Sequence, residues 1–206
     1  MKERFNTRSL VLMGLLVALQ LVFSFTPIGT IPIGPLSITL QTIPIAIAAI
    51  ALGPVGGLVM GSVFGILSFL QCIGVGIPSG MGAALFAIDP VLAFVQRFVP
   101  RALDGLLVGF VFKGVKKLSN SYTACAVTGF CTALFNTVLF MSALVLLFGS
   151  SDYVKGLMGG KNVIVFICTF VGVNAVVEMI STTLITAAVG AALFKAKLIP
   201  QAQASN

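Results

Sequence analysis

Six apolar runs follow one another along this chain, broken only by Gly-Pro turns, short basic clusters and two oily loops. Each is near the roughly 20 residues that a bilayer span needs. A chain that is 58% hydrophobic and 8% charged cannot clothe a water-facing surface, which takes roughly 25% charged residues. The expected fold is an all-α integral membrane protein: one six-helix membrane domain over residues 1–206, with spans at about 8–25, 38–52, 55–73, 90–112, 122–148 and 163–194. The first run follows the basic start Lys2, Arg4 and Arg8 as a signal peptide would. No small-x-small cleavage site follows and further spans come after, so it is expected to stay. Only Gly53-Pro54 separates the second span from the third, a tight helix-ending turn.

The net charge of +7 would hint at nucleic acid in a soluble chain. Here the cations flank apolar runs instead. Six spans bring both termini to one side, together with Lys2, Arg4, Arg8, Lys113, Lys116, Lys117, Lys195 and Lys197, and leave only Lys155 and Lys161 opposite. The positive-inside rule then puts both termini in the cytoplasm.

Catalytic and metal chemistry find little footing. Histidine is absent, which removes the commonest general base and metal ligand. Cys72, Cys125, Cys131 and Cys168 are scattered through apolar runs with no CxxC pair, as small packing residues are. There is no GxxxxGK[ST] loop and no HExxH, so the chain cannot hydrolyse ATP by itself. No catalytic residue, metal ligand or cofactor is assigned.

The two loops opposite the termini are unusual. Thr26 to Ser37 (TPIGTIPIGPLS) and Gly74 to Asp89 (GVGIPSGMGAALFAID) are rich in Gly and Pro yet still apolar. Irregular backbone at membrane depth is tolerated where it lines an enclosed cavity, so both are expected to cover a pocket on the outer face.

Arg97 and Arg101 lie inside an apolar stretch, four residues apart, with Asp104 a further turn along. All three can share one helical face, and Pro100 between the arginines should bend the helix and free carbonyls. Intramembrane ionisable groups mark functional sites, and two arginines on one face suit an anion. Two plainer readings compete: an internal Arg101–Asp104 ion pair and snorkelling of Arg97 to the surface. Asn136 on the fifth span and Asn174 on the sixth fall near the depth of Arg101, with Glu178 one turn from Asn174, although asparagine can also serve as interhelical glue. Thr39 and Gln41 open the second span and Gln71 closes the third, all near the outer side. These eight residues, Arg97, Arg101, Asn136, Asn174, Glu178, Gln41, Thr39 and Gln71, are the candidate substrate contacts. Asp89, ahead of Pro90, reads better as a helix cap. Gly57, Gly61 and Gly65, like Gly105 and Gly109, read as close helix packing. Gly14 and Ala18 make the same pattern on the first span, where the face could receive a partner.

The basic start with SLVLMGLLVAL, the run IPIGPLSITLQTIPIAIAAIALGPVGGLVMGSVFGILSF and the segment DPVLAFVQRFVPRALDGLLVGFVFKG together resemble the substrate-binding S components of energy-coupling factor (ECF) vitamin transporters. The resemblance covers essentially the whole chain. It implies a high-affinity binding subunit in a bacterial plasma membrane. Its partners would be a membrane scaffold (T component) and two cytoplasmic ATPase subunits, with substrate held beneath the loop joining helices 1 and 2. It also implies that the small-residue face of the first helix meets the scaffold; Gly14 and Ala18 match there, with glycine in the first small position. The stretch RFVPRALDGLLVGFVFKG looks closest to members handling pantothenate, folate or riboflavin. A pocket with two arginines and several amides suits a carboxylate with hydroxyl and amide groups. Tryptophan is absent and both tyrosines, Tyr122 and Tyr153, lie at span edges, which disfavours stacking a large ring. Pantothenate is therefore the expected cargo, with folate, riboflavin or another small solute as alternatives. A self-sufficient proton-coupled carrier using Asp104 or Glu178 is the rival from another class.

Overall fold

The structure is a computed structural model and describes residues 7–33 and 36–196. Lys2, Arg4 and Lys197, and the Gly34-Pro35 step of the first loop, lie outside the described residues. In chain order come α1 (Thr7–Phe25), β1 (Thr30–Ile33), β2 (Leu36–Thr39), α2 (Thr42–Leu70), a 3-10 turn (Gln71–Ile73), α3 (Gly80–Ile88), α4 (Pro90–Leu118), α5 (Ser121–Phe148), α6 (Asp152–Met158) and α7 (Val163–Lys195). Four stretches are long and apolar enough to cross a membrane: Thr7–Phe25, Thr42–Ile73, Ser121–Phe148 and Asn174–Lys195. Large apolar side chains such as Leu10, Leu15, Val138, Leu146 and Leu184 are exposed along them, as lipid contact demands. The protein is a mostly helical, multi-pass membrane protein.

Two expectations are corrected. Residues 38–41 are not helical: Ile38 and Thr39 lie in β2, which pairs antiparallel with β1, Thr30 opposite Thr39 and Ile31 opposite Ile38. Turn residues between β-branched runs favour a hairpin over a helix, so the molecule is not purely α-helical. The oily loop after the third span is only partly irregular, because α3 occupies Gly80–Ile88 with Ser79 accepting from the Gly82 N–H as its cap. The third span ends at Ile73 as expected, its last three residues tightening into the 3-10 turn.

Gly53-Pro54 divides α2 as its sequence implies. Gly53 has φ 72° and ψ −164°, a conformation essentially confined to glycine. Beyond it the second half of α2 folds back, bringing Gly57 within van der Waals reach of Ala49. Residues 42–52 span only about 16 Å at about 1.5 Å per residue, short of a ~30 Å hydrocarbon core. That shortness is tolerated because residues 42–50 are all buried in protein, so no lipid has to match them. A helix apolar on every face belongs in a core.

The second half of α2 runs antiparallel to α4 along a seam of small residues. A Cβ on Gly57 would strike the Gly105 carbonyl, one on Gly61 the Arg101 carbonyl, one on Gly65 the Phe98 backbone and one on Gly109 the Pro54 backbone. These glycines therefore serve backbone-to-backbone packing. The seam fixes the rotation of α4 and aims Arg97 and Arg101 away from α2's backbone. At the end of the molecule carrying the hairpin, α3 and α6, a core of Met81, Leu85, Met141, Leu144, Phe148, Val154 and Phe166 binds α3 and α6 to α5 and α7. The described ends of α1 and α7 meet at the opposite end, where Leu12 and Leu193 join one apolar cluster.

Candidate functional site

Below the hairpin lies a partly open cavity walled by the hairpin, α2, the segment leading into α3, α4, α5 and α7. All eight candidate contacts line it: Thr39, Gln41, Gln71, Arg97, Arg101, Asn136, Asn174 and Glu178. They come from β2, the start of α2, the 3-10 turn, α4, α5 and α7, so the cavity exists only in the assembled fold.

Arg97 and Arg101 supply the charge. Both are 5% exposed, so neither snorkels. Arg97 Nη2 donates to Ser79 Oγ at 3.2 Å, and its guanidinium sits 5.2 Å from the Phe140 ring centre. Gly82 makes this approach possible, since a Cβ there would sit 3.0 Å from Arg97 Nη2. Arg101 Nη1 donates to the Arg97 carbonyl at 2.9 Å. Its guanidinium lies between two rings, 4.6 Å from Phe64 and 5.0 Å from Phe140. Such cation–π contacts offset part of the cost of burial. Nε of each arginine has no partner among the described residues.

The ion pair with Asp104 is absent. Asp104 is 0% exposed, both its oxygens lack a partner among the described residues, and it does not line the cavity. Helical side chains lean toward the N-terminus of their helix. Arg101 therefore climbs toward Arg97 and the cavity, while short Asp104 stays one turn below. The helix runs on through Pro100, where the proline removes the N–H that would have bonded the Gln96 carbonyl.

The hairpin side of the cavity is held by side-chain hydrogen bonds. Gln41 Oε1 accepts from Gln20 Nε2 at 3.1 Å and from the Ser24 hydroxyl at 2.9 Å, and Gln41 Nε2 donates to Thr30 Oγ1 at 2.9 Å. One buried amide thus joins α1, β1 and α2. The Thr39 N–H donates to Glu178 Oε1 at 2.7 Å, and the hydroxyls of Thr42 and Thr182 meet at 2.9 Å, tying the hairpin and α2 to α7. Gln71 Nε2 donates to the Ser24 carbonyl at 3.5 Å. Asn136 Oδ1 has no partner among the described residues. Asp89 caps α4, accepting from the N–H groups of Val91 at 2.8 Å and Leu92 at 3.0 Å, and stands outside the cavity.

Sequence reasoning missed Ser79, Phe64 and Phe140. Ser79 carried a usable signal, a capping serine just ahead of an apolar helix. The phenylalanines carried none among the chain's 17. On α1, Gly14 and Ala18 are exposed, and nothing lies within 4 Å of a Cβ built on Gly14.

The chemistry available is recognition. Two cations and one carboxylate leave the cavity one positive charge in excess, with amide and hydroxyl groups around it. No group of three or more potential metal ligands occurs among the described residues. Two curated proteins are similar over nearly their whole lengths. The "Pantothenic acid transporter PanT" of Lactococcus lactis subsp. cremoris is 28% identical, over 91% of this chain and 92% of that protein. The "Pantothenate transporter PanT" of Leuconostoc mesenteroides subsp. mesenteroides is 28% identical, over 90% of this chain and 91% of that protein. The family model described as ECF transporter, substrate-specific component matches residues 8–190. The chain belongs to the family of substrate-specific components of ECF transporters.

Proposed function

We propose that this chain captures pantothenate at the outer face of the membrane and hands it inward as the binding subunit of an ECF uptake system. One observation carries the reading: two buried guanidiniums, with no acid paired to them among the described residues, face a cavity that has room for a small solute. An uncompensated buried cation is costly, and an anionic ligand relieves that cost. The excess of one positive charge matches a monocarboxylate. Asn136, Asn174, Gln71 and Gln41 offer amides to the ligand's hydroxyl and amide groups, and both named relatives carry pantothenate in their names.

The same reading gives six passes: α1, the two halves of α2, α4, α5 and α7. Arg8, Lys113, Lys116, Lys117 and Lys195 lie at the end where α1 begins and α7 closes, and Lys155 and Lys161 at the hairpin end. The positive-inside rule turns the first end to the cytoplasm and opens the cavity outward. Transport then needs a membrane scaffold and two ATPases, with the exposed Gly14–Ala18 face of α1 as the scaffold contact. The chain itself binds and performs no catalysis.

Calorimetric titration of the detergent-purified protein with pantothenate, folate, riboflavin and biotin tests the cargo. Sub-micromolar binding of pantothenate alone is expected. Tight binding of one of the others, with pantothenate silent, would overturn the assignment while leaving the family intact.

A further inference from the structure

We infer that Glu178 reads the hydroxyl end of the ligand and ties that recognition to the hairpin above it. This rests on the pantothenate reading of the cavity. Glu178 stands on α7, lines the same cavity as the two arginines on α4 without a hydrogen bond to either, and is 5% exposed. Among the described residues it is the single acidic side chain in the cavity wall. Its Oε1 accepts the Thr39 N–H at 2.7 Å. Its Oε2 takes no hydrogen bond among the described residues, yet it is not among the sealed polar atoms. One oxygen is therefore committed to β2 and the other faces the cavity as an unspent acceptor.

A carboxylate in an anion-binding cavity is at first sight misplaced, because it repels the ligand's own charge. That repulsion supplies an orientation. The ligand carboxylate goes to Arg97 and Arg101, and the opposite end turns toward Glu178. An ionised carboxylate accepts hydrogen bonds and donates none, so what it selects there is a donor. Pantothenate carries its two hydroxyls at the end remote from its carboxylate. An O–H···O⁻ bond is short and strong. An anion lacking a donor at that end would leave Oε2 facing an apolar group, which is costly. Because the same carboxyl holds the Thr39 N–H, a ligand bonded to Oε2 also steadies the support of β2. Glu178 is thus a specificity-determining residue, and Thr39 is a positioning residue acting through it.

The test is a two-by-two titration of the full chain in detergent. One axis is pantothenate against its analogue with both hydroxyls replaced by hydrogen, which keeps the carboxylate and the amide. The other is wild type against Glu178→Gln, which still offers an oxygen to Thr39 but can turn an NH₂ toward the cavity. The wild type should prefer pantothenate by roughly 10- to 100-fold, the range of a hydrogen bond to a charged group. In Glu178→Gln that preference should shrink to about threefold or less, while the analogue binds as tightly as to wild type or tighter, because a repelling charge has gone. Purely electrostatic action by Glu178 would instead tighten both ligands equally and leave the preference intact, and that result overturns the inference.

Equal binding of both ligands to wild type overturns it too, and needs no variant. If Glu178→Gln does not fold, Glu178→Asp keeps the charge and withdraws the oxygen; an undiminished preference there is likewise fatal. Failure of wild type to bind either compound strikes the pantothenate reading itself, a separate outcome.

Discussion

Along the second half of α2 and α4, backbone lies against backbone, whereas between α1, the hairpin and α7 the contact runs through side-chain hydrogen bonds. The first seam is a row of glycines, Gly57, Gly61 and Gly65 facing Gly105, Arg101 and Phe98. The second is a short chain of polar atoms through Gln41, Glu178 and the Thr42–Thr182 pair. Both border the same cavity, and they do different work. Close backbone packing has one arrangement, and it fixes Arg97 and Arg101 in direction before any ligand arrives. A hydrogen-bonded seam can trade partners with a ligand or with water at little net cost. The cavity therefore has a rigid cationic wall on α4 and an exchangeable wall under the hairpin, and entry belongs on the exchangeable side.

The sharpest way to break this contrast is to overfill the glycine seam. Gly57→Leu drives a side chain into the Gly105 carbonyl and should cost about 3 kcal/mol or more, read as loss of monodisperse, ligand-responsive protein in detergent. Gly114→Leu on the same helix pair is the control, because nothing lies within 4 Å of a Cβ there, and it should stay within about 0.5 kcal/mol of wild type. A well-folded Gly57→Leu would mean the seam can open, and the contrast would fall.

Arg101→Ala comes next and separates stability from binding. Loss of anion affinity by roughly 2–5 kcal/mol is expected for a desolvated charge contact, measured by calorimetry. The empty protein should unfold at the same temperature or higher, because the variant removes a buried cation that has no acid partner. A fall in both would show that Arg101 is chiefly a packing residue held by Phe64 and Phe140. Arg97→Ala should behave alike but more weakly, since Arg97 meets one ring and not two.

Gln41→Leu probes the polar seam. It strands Gln20 Nε2 and the Ser24 hydroxyl and takes away the donor to Thr30 Oγ1, and about 1–3 kcal/mol of stability should go, seen as a lower unfolding temperature. Ligand addition should recover less of that loss than in wild type, because the hairpin is then poorly anchored. Full recovery would make Gln41 a bystander to binding.

Eight polar residues of the cavity wall were legible in the sequence, and the reason is physical. In a chain this apolar an intramembrane Arg, Asn, Gln or Glu seeks a polar destination, so most of them converge on the cavity; Gln96, buried with both amide atoms unpartnered among the described residues, does not line it. Gly53-Pro54 was equally readable, because only glycine takes φ 72° with that ψ. What escaped was decided by neighbours. The hairpin hid because its residues are as apolar as a span and its carboxylate anchor, Glu178, is distant in sequence. Helix α3 hid among glycines until Ser79 is seen capping it. The spacing of Arg101 and Asp104 favours an ion pair, yet the lean of helical side chains toward the cavity sends the guanidinium the other way.

The smallest effect on the isolated protein is predicted on α1, and it tests the comparison from outside. Gly14 and Ala18 belong to neither seam: both are exposed, and Gly14 has open space beyond it. Gly14→Leu and Ala18→Leu should each shift stability by no more than about 0.5 kcal/mol and leave pantothenate affinity unchanged. In vesicles holding the complete scaffold and ATPase assembly, the same substitutions should abolish ATP-dependent uptake, because a small-residue face lets another helix approach closely and a leucine there holds it off. The two glycine patterns would then differ in destination: the one on α2 and α4 is filled by this chain, and the one on α1 is left for a partner. Lost binding together with lost uptake would instead assign the α1 face to internal packing, and some other surface would have to meet the scaffold.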